Sequence, residues 1–306
     1  MPELYTNTPR SDGFGAQCRE IFFSIVWTLV ELKGEFVYTP ISRMEHNYKN
    51  DKNWINDTNN FLNITSQFNK SPNGNVKKSR YDKNKMTRNM EKYINSPAFE
   101  KLRQCLTPTM KDPYDHNRYF NLAIHLRRKN QHDNMGPIKP RLIPDEYFNS
   151  RLQNFLDDYY TKPITNRKPL RIYIYSQGNE GIRLNTNGYE VINCIDISTF
   201  DTFSGFVYAD ALITSLSLLS YMAAFFNKGD IYHIDSTDYC GGHMAHWKTT
   251  KKDYRYGDKI NKTPNRVVFT KHNKPRLNRI LGMFNDLHGN IETTLGSLRR
   301  RVQSRT

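Results

Sequence analysis

The chain has 306 residues, 37% of them hydrophobic and 13% aromatic, which is enough for one large domain or two of ordinary size with a substantial core. Lys and Arg total 45 against 30 Asp and Glu, a formal charge of +15 that favours polyanionic partners such as nucleic acid, an anionic membrane surface or phosphorylated ligands. Four scattered cysteines (Cys18, Cys105, Cys194, Cys240) exclude a compact disulfide framework and suit reduced thiols.

The chain opens loosely and then reads Ser11-Asp12-Gly13-Phe14-Gly15-Ala16-Gln17, a glycine-rich loop. The spacing of Ile21, Phe22, Ile25, Val26, Leu29 and Val30 predicts an amphipathic helix after it, and Glu35–Tyr38 a strand. A glycine turn opening a helix is a natural anion cradle, since first-turn N–H groups and the helix dipole meet there; read alone, it is equally a tight turn. The apolar segment Ile21–Leu32 is too short for a membrane span and carries Glu31. With no signal sequence, the Asn-x-Thr sites at Asn56, Asn63 and Asn261 are chance matches in an Asn-rich chain.

Residues 44–90 are rich in Asn, Lys, Tyr and Asp and read as irregular structure or a variable insertion. Lys77, Lys78, Arg80, Lys83, Lys85 and Arg88 form a basic run, a solvated face or a surface for an acidic partner. Asn89–Leu106 reads as a helix, and Pro108 and Pro113 mark a break.

From residue 118 strands and helices alternate. Asn121-Leu-Ala-Ile-His-Leu-Arg127-Arg128 is a buried strand that delivers two guanidiniums to its carboxyl end, where open α/β sheets bind ligands. A helix near Asp145–Tyr159 follows Pro144, then a strand at Leu170–Ser176 and a short helical piece after Gly178. Strands are predicted at Tyr189–Cys194, Ala211–Thr214 and Ile231–His233, with a helix at Ser217–Phe226. Such alternation specifies a parallel sheet with helices on both faces. Residues 240–275 read as loop and Arg276–Arg301 as a helix ending in a basic tail. Cys240, His243 and His246 have metal-like spacing, but zinc needs a fourth ligand and none is evident, so a loop is the reading adopted.

Three blocks in order resemble the fucosyltransferase superfamily, which includes α1,2- and α1,6-fucosyltransferases and protein O-fucosyltransferases. They are Asp12-Gly13-Phe14-Gly15-Ala16-Gln17; His125-Leu126-Arg127-Arg128, which matches His-x-Arg-Arg; and the Ser-rich stretch Ala209–Ala224 followed by Gly229-Asp230-Ile231-Tyr232. Arg141-Leu142-Ile143-Pro144-Asp145 is similar to the segment that follows His-x-Arg-Arg in that family, and the match spans residues 11–40 and 118–233. The resemblance implies an α/β, GT-B-like architecture of two Rossmann-like domains facing a cleft. On this chain the division is 1–117 (acceptor side, with the 44–90 insertion), 118–275 (donor side) and 276–306 (helix and basic tail).

The implied reaction is inverting transfer of a sugar, fucose from GDP-fucose, to a hydroxyl of a glycan or protein acceptor. The resemblance casts Gly13, Phe14, Gly15 and Gln17 as the loop that approaches the donor, and His125 and Asp201 as readers of guanine. Arg127 and Arg128 bind the diphosphate, Arg127 neutralising the leaving group, and Ser215 and Ser217 donate hydroxyl hydrogen bonds. Many relatives carry Asp two residues beyond the Arg pair; here Asn130 stands there, which leaves Asp133 or His132 as candidate base. Taken singly, His125 reads as a buried structural histidine, Asp201 as a helix cap and the serines as loop hydroxyls. No Asp-x-Asp motif is present, so the expected transferase uses no metal or other cofactor. Two readings compete: a basic nucleic-acid-binding protein, although no recognisable nucleic-acid-binding motif appears, and a nucleotide-sugar-binding pseudoenzyme. The composition and the missing anchor suggest a cytoplasmic enzyme, bacterial or virus-encoded.

Overall fold

The computed structural model describes residues 2–47, 50–69, 76–128, 143–163, 167–178, 182–235 and 242–251. All belong to one compact unit, residues 1–257. The helix expected at Arg276–Arg301 lies outside the described residues. The protein is α/β, with two all-parallel sheets among the described residues.

The larger sheet has six strands: β4 (Phe120–Leu126), β5 (Leu170–Ser176), β6 (Glu190–Ile195), β7 (Ala211–Ile213), β8 (Asp230–Asp235) and β9 (Lys248–Lys251). Their spatial order is β6-β5-β4-β7-β8-β9. Counted from β4, that is the 3-2-1-4-5-6 order of doubly wound dinucleotide folds, with the reversal between β4 and β7. Register runs Phe120↔Leu170 to Leu126↔Ser176 on one side of β4 and Leu122↔Ala211 to Ile124↔Ile213 on the other. Covered on both faces, β4 is buried from Asn121 to Leu126, which suits its mostly apolar run and places His125 in the interior.

The two faces follow the period-two alternation of a strand. Leu122, Ile124 and Leu126 join Ile172, Ile174, Ala211 and Ile213 under helix α6 (Asp145–Thr161). Phe148, Leu152, Phe155 and Tyr159 form the buried stripe of α6. On the other face Ala123, Tyr173, Tyr175 and Leu212 pack with α7 (Thr199–Tyr208) and α8 (Leu218–Ala224). The same cluster extends into the amino-terminal half through α1 (Phe14–Trp27), whose Cys18, Ile21, Phe22 and Ile25 are fully buried.

The smaller sheet is β2-β1-β3, built from β1 (Leu4–Thr6), β2 (Glu35–Phe36) and β3 (Lys77–Lys78). Helix α1 starts directly at the glycine loop and passes into a π-helical turn at Thr28–Leu32. Several local expectations change. The stretch 240–275, read as loop, contains strand β9, which pairs with β8. The insertion is not irregular throughout: it contains α2 (Trp54–Leu62) and α3 (Lys83–Arg88). The helix expected at Asn89–Leu106 is divided into α4 (Met90–Ile94) and α5 (Pro97–Leu106). Pro97 disfavours helical backbone at Ser96, and Ser96 instead caps α5 by accepting the Phe99 amide at 3.3 Å. No helix among the described residues is long and apolar enough to cross a membrane, and Cys18, Cys105 and Cys194 are free thiols.

Candidate functional site

A cavity of about 410 Å³ opens at the carboxyl ends of β4 and β5 and beside the loop that follows β7. It therefore lies at the topological switch point of the six-stranded sheet, where such folds bind their ligands. One wall comes from the amino-terminal half: Arg10, Asp12, Gly13–Ala16, Arg19, His46, Trp54 and Lys83. The other comes from the ends of β4 and β5 and the starts of α7 and α8: His125–Arg128, Tyr175–Gln177, Thr199, Thr202 and Ser217–Leu219.

The glycine loop reaches the sheet because it has no side chains at the contact. A Cβ at residue 15 would sit 2.6 Å from the Leu218 carbonyl carbon and 2.9 Å from Leu219 Cα, so α1 meets the start of α8 backbone to backbone. At residue 13 a Cβ would overlap the ring of His46. Gly13 is the amino-terminal cap residue of α1, with no side-chain cap and no acidic residue in the first turn. Its carbonyl accepts from the amides of Ala16 (3.0 Å) and Gln17 (3.1 Å). The earlier first-turn amides have no intrahelical acceptor, and they lie in the cavity wall.

The Gln17 side chain is buried and does not face the cavity. It donates to the carbonyls of Arg10 (2.8 Å), Arg43 (3.1 Å) and Asp12 (3.3 Å), which clamps the loop in place. Phe14 lies in the wall, with its ring buried edge-on among Phe61, Phe200 and Phe203. Phe200 also stacks on Trp54 at 5.4 Å, so α2 and α7 share an aromatic block beside the cavity.

At the end of β4, His125 is buried with Nδ1 2.8 Å from Ser220 Oγ and its ring against Phe206. Burial, reinforced by the charge of Arg127, lowers its pKa to about 3, so the ring is neutral at physiological pH. Ser215 is fully buried; its Oγ accepts from the Arg127 amide (3.4 Å) and its amide donates to Ser220 Oγ (3.3 Å). It holds the backbone that carries Arg127 and does not line the cavity. Ser217 does line it, and caps α8 by accepting the Leu219 amide at 3.3 Å. Arg128 is in the wall, and its guanidinium pairs with Asp145 at the start of α6. Arg10 pairs with Asp12 at 2.5 Å and approaches Glu20 at 3.7 Å.

Asp201 stands elsewhere. It is exposed in the first turn of α7, where its amide donates to Ser198 Oγ (3.0 Å) and Ser198 Oγ donates to its carboxylate (2.7 Å). This reciprocal capping arrangement accounts for an acid at that position, and Asp201 is not part of the cavity wall. Asp133, His132 and Asn130 lie outside the described residues, as does Cys240. Among the described residues no group of three His, Cys, Asp or Glu is arranged to hold a metal ion.

The sequence reading thus assembles Gly13, Phe14, Gly15, His125, Arg127, Arg128 and Ser217 around one cavity, and leaves Gln17, Ser215 and Asp201 outside it. It missed His46, Trp54 and Lys83, which come from the region read as an insertion, and Tyr175–Gln177 at the end of β5. The β5 residues were open to inference from strand direction alone. His46 carries no local signal.

No known protein family and no curated protein matches the chain. Among solved structures it is similar to the bacterial iron-containing dodecameric glycosyltransferase TibC from enterotoxigenic E. coli H10407. That match has 12% identity over 95% of this chain and 77% of the other, with a TM-score of 0.39. It is also similar to the E. coli heptosyltransferase WaaC with ADP, at 10% identity over 81% of this chain and 92% of the other, with a TM-score of 0.36. Likeness at this level carries no functional argument.

Proposed function

We propose that the protein is a glycosyltransferase that uses a nucleotide-sugar donor, GDP-fucose being the donor its motifs favour, and transfers the sugar with inversion to a hydroxyl of a glycan or protein acceptor. The observation that carries this reading is the cavity itself. At the switch point of a dinucleotide-type sheet, the open amino terminus of α1 and the Arg127 position converge on one space. A diphosphate satisfies both elements at once. First-turn amides and the helix dipole hold its oxygens, and a guanidinium neutralises the charge that builds as the sugar departs. Arg128, committed to Asp145, fixes the geometry of the turn and tunes the field. His125, neutral and tied to Ser220, supports the same turn from beneath. The mechanism calls on no metal, because cations and a helix terminus supply the positive field. The amino-terminal wall is the acceptor side.

Calorimetry and thermal shift with GDP, UDP and GDP-fucose test this. A ligand bound only by the folded state at 100 times its Kd stabilises by about 2.7 kcal/mol. GDP is expected to bind in preference to UDP, and Arg127→Ala to weaken it at least tenfold. No binding of any nucleotide at low salt would remove the reading and favour the basic nucleic-acid binder, whose polynucleotide affinity would fall steeply with salt. Binding without turnover of GDP-fucose favours the pseudoenzyme.

A further inference from the structure

Among the described residues two histidines line the cavity, in different surroundings. His125 is buried in the sheet, bonded to Ser220 and held neutral well below physiological pH, so it cannot take up a proton there. His46 stands in the opposite wall, half-buried, in the segment between β2 and α2. Its backbone is left-handed, with φ +65°. Few non-glycine residues adopt that region, and they persist there only where the surroundings impose it. Here the surroundings do so. The Glu45 amide donates to the Ser11 carbonyl at 2.8 Å, which ties this segment to the glycine loop. The absence of a side chain at Gly13 leaves room for the imidazole against the start of α1.

Among the described residues the charged groups of the same cavity wall are Arg10, Asp12, Arg19, Lys83, Arg127 and Arg128. Asp12 is the one carboxylate among them, and Arg10 holds it at 2.5 Å. Transfer to a hydroxyl needs a proton acceptor on the acceptor side of the donor, and imidazole is the side chain best matched to that task near neutral pH.

We propose that His46 is the general base of the transfer reaction, an assignment that rests on the glycosyltransferase reading above. In the step, the acceptor oxygen forms a bond to the anomeric carbon while its proton passes to an imidazole nitrogen of His46. The bond between the anomeric carbon and the diphosphate oxygen breaks, and its electron pair leaves on the diphosphate, which α1 and Arg127 hold. The imidazolium then releases its proton to solvent.

Water serves as the acceptor for the test, and GDP release from GDP-fucose is the readout. The variants are His46→Asn, which keeps a residue tolerant of left-handed backbone, and His46→Gln, with Asp133→Asn alongside and GDP binding measured for each. Both His46 variants are expected to bind GDP within twofold of wild type. Both lose hydrolysis by about 10²-fold or more, and both lose the acidic limb of the pH–rate profile. Hydrolysis at the wild-type rate in the His46 variants overturns the assignment, as does its loss in Asp133→Asn alone. A wild-type protein that binds GDP-fucose without hydrolysing it also removes the role. Wild-type protein that binds no GDP refutes the glycosyltransferase reading itself, and the base falls with it.

Discussion

Acidification tests the burial of two histidines against the most direct physical consequence of that burial. His125 and His233 occupy corresponding inward positions on β4 and β8, on the face covered by α7 and α8. His125 meets Ser220; His233 Nδ1 lies 2.9 Å from Thr214 Oγ1, with its ring against Tyr221 and Trp247. His233 Nε2 is buried and has no hydrogen-bond partner among the described residues. Burial lowers both pKa values to about 3, with the charge of Arg127 contributing at His125 and that of His243 at His233. In the unfolded chain each titrates near 6.5. The unfolded state therefore binds more protons between these values. The stability each ring contributes is complete above pH 6.5 and is lost as the pH falls toward 3. At about 1.4 kcal/mol per pH unit, each withdraws about 2 kcal/mol between pH 7.5 and 5, and the pair about 4 kcal/mol. That is a large share of a stability of about 5–15 kcal/mol. Glu20 opposes them: burial raises its carboxyl, so its contribution is lost as the pH rises. Urea unfolding followed by tryptophan fluorescence across this range supplies the slope. His233→Gln and His125→Gln are each expected to remove about half of it, whatever they do to absolute stability. A flat profile from pH 7.5 to 5, or a slope unchanged in both variants, refutes the reasoning.

The contact between α1 and α8 makes Gly15→Ala the costliest small change at the site. The new methyl meets backbone, so the helices must separate, at about 1–3 kcal/mol of overpacking. Urea unfolding and GDP calorimetry are both expected to register the loss, and wild-type values in each would show that the helices have room to spare. At Asp201 the expectation is the opposite. Asp201→Asn leaves GDP affinity within twofold and costs at most about 1 kcal/mol, because its partner is the cap residue Ser198. A tenfold loss of preference for GDP over UDP would return it to the base-reading role.

Much of the carboxyl-terminal sheet was legible before any coordinates. The run from Leu122 to Leu126 is apolar but for His125 because both faces of β4 are covered, and a parallel strand covered on both faces does not alternate apolar with polar residues. Leu170–Ser176 repeats the pattern, and its observed bounds are those read from sequence. The glycine loop and the Arg pair were visible as local chemistry. Helix α7 was not, since Gly205 interrupts its pattern. Gly205 is there because a Cβ would strike the Tyr175 ring, 2.6 Å from Cζ, while Tyr114 Oη donates to the Gly205 carbonyl at 2.7 Å. These are contacts between residues remote in the chain, and no local periodicity records them.

The same distinction runs through the site. Sequence alone determined the strands β4, β5, β6, β7 and β8 and the helices α1, α6 and α8, and which strand end carries Arg127, because those properties depend on neighbouring residues and the period of their burial. Only the tertiary structure decided that β7 follows β4 in the sheet, which puts the start of α8 beside the Arg pair and opens the cavity there. It also brought His46 from the Asn- and Lys-rich segment onto Gly13 and left Asp201 capping α7 outside the wall. Convergence of this kind is set by strand order and by backbone approach at glycine, which are long-range consequences of packing that no short stretch of residues encodes.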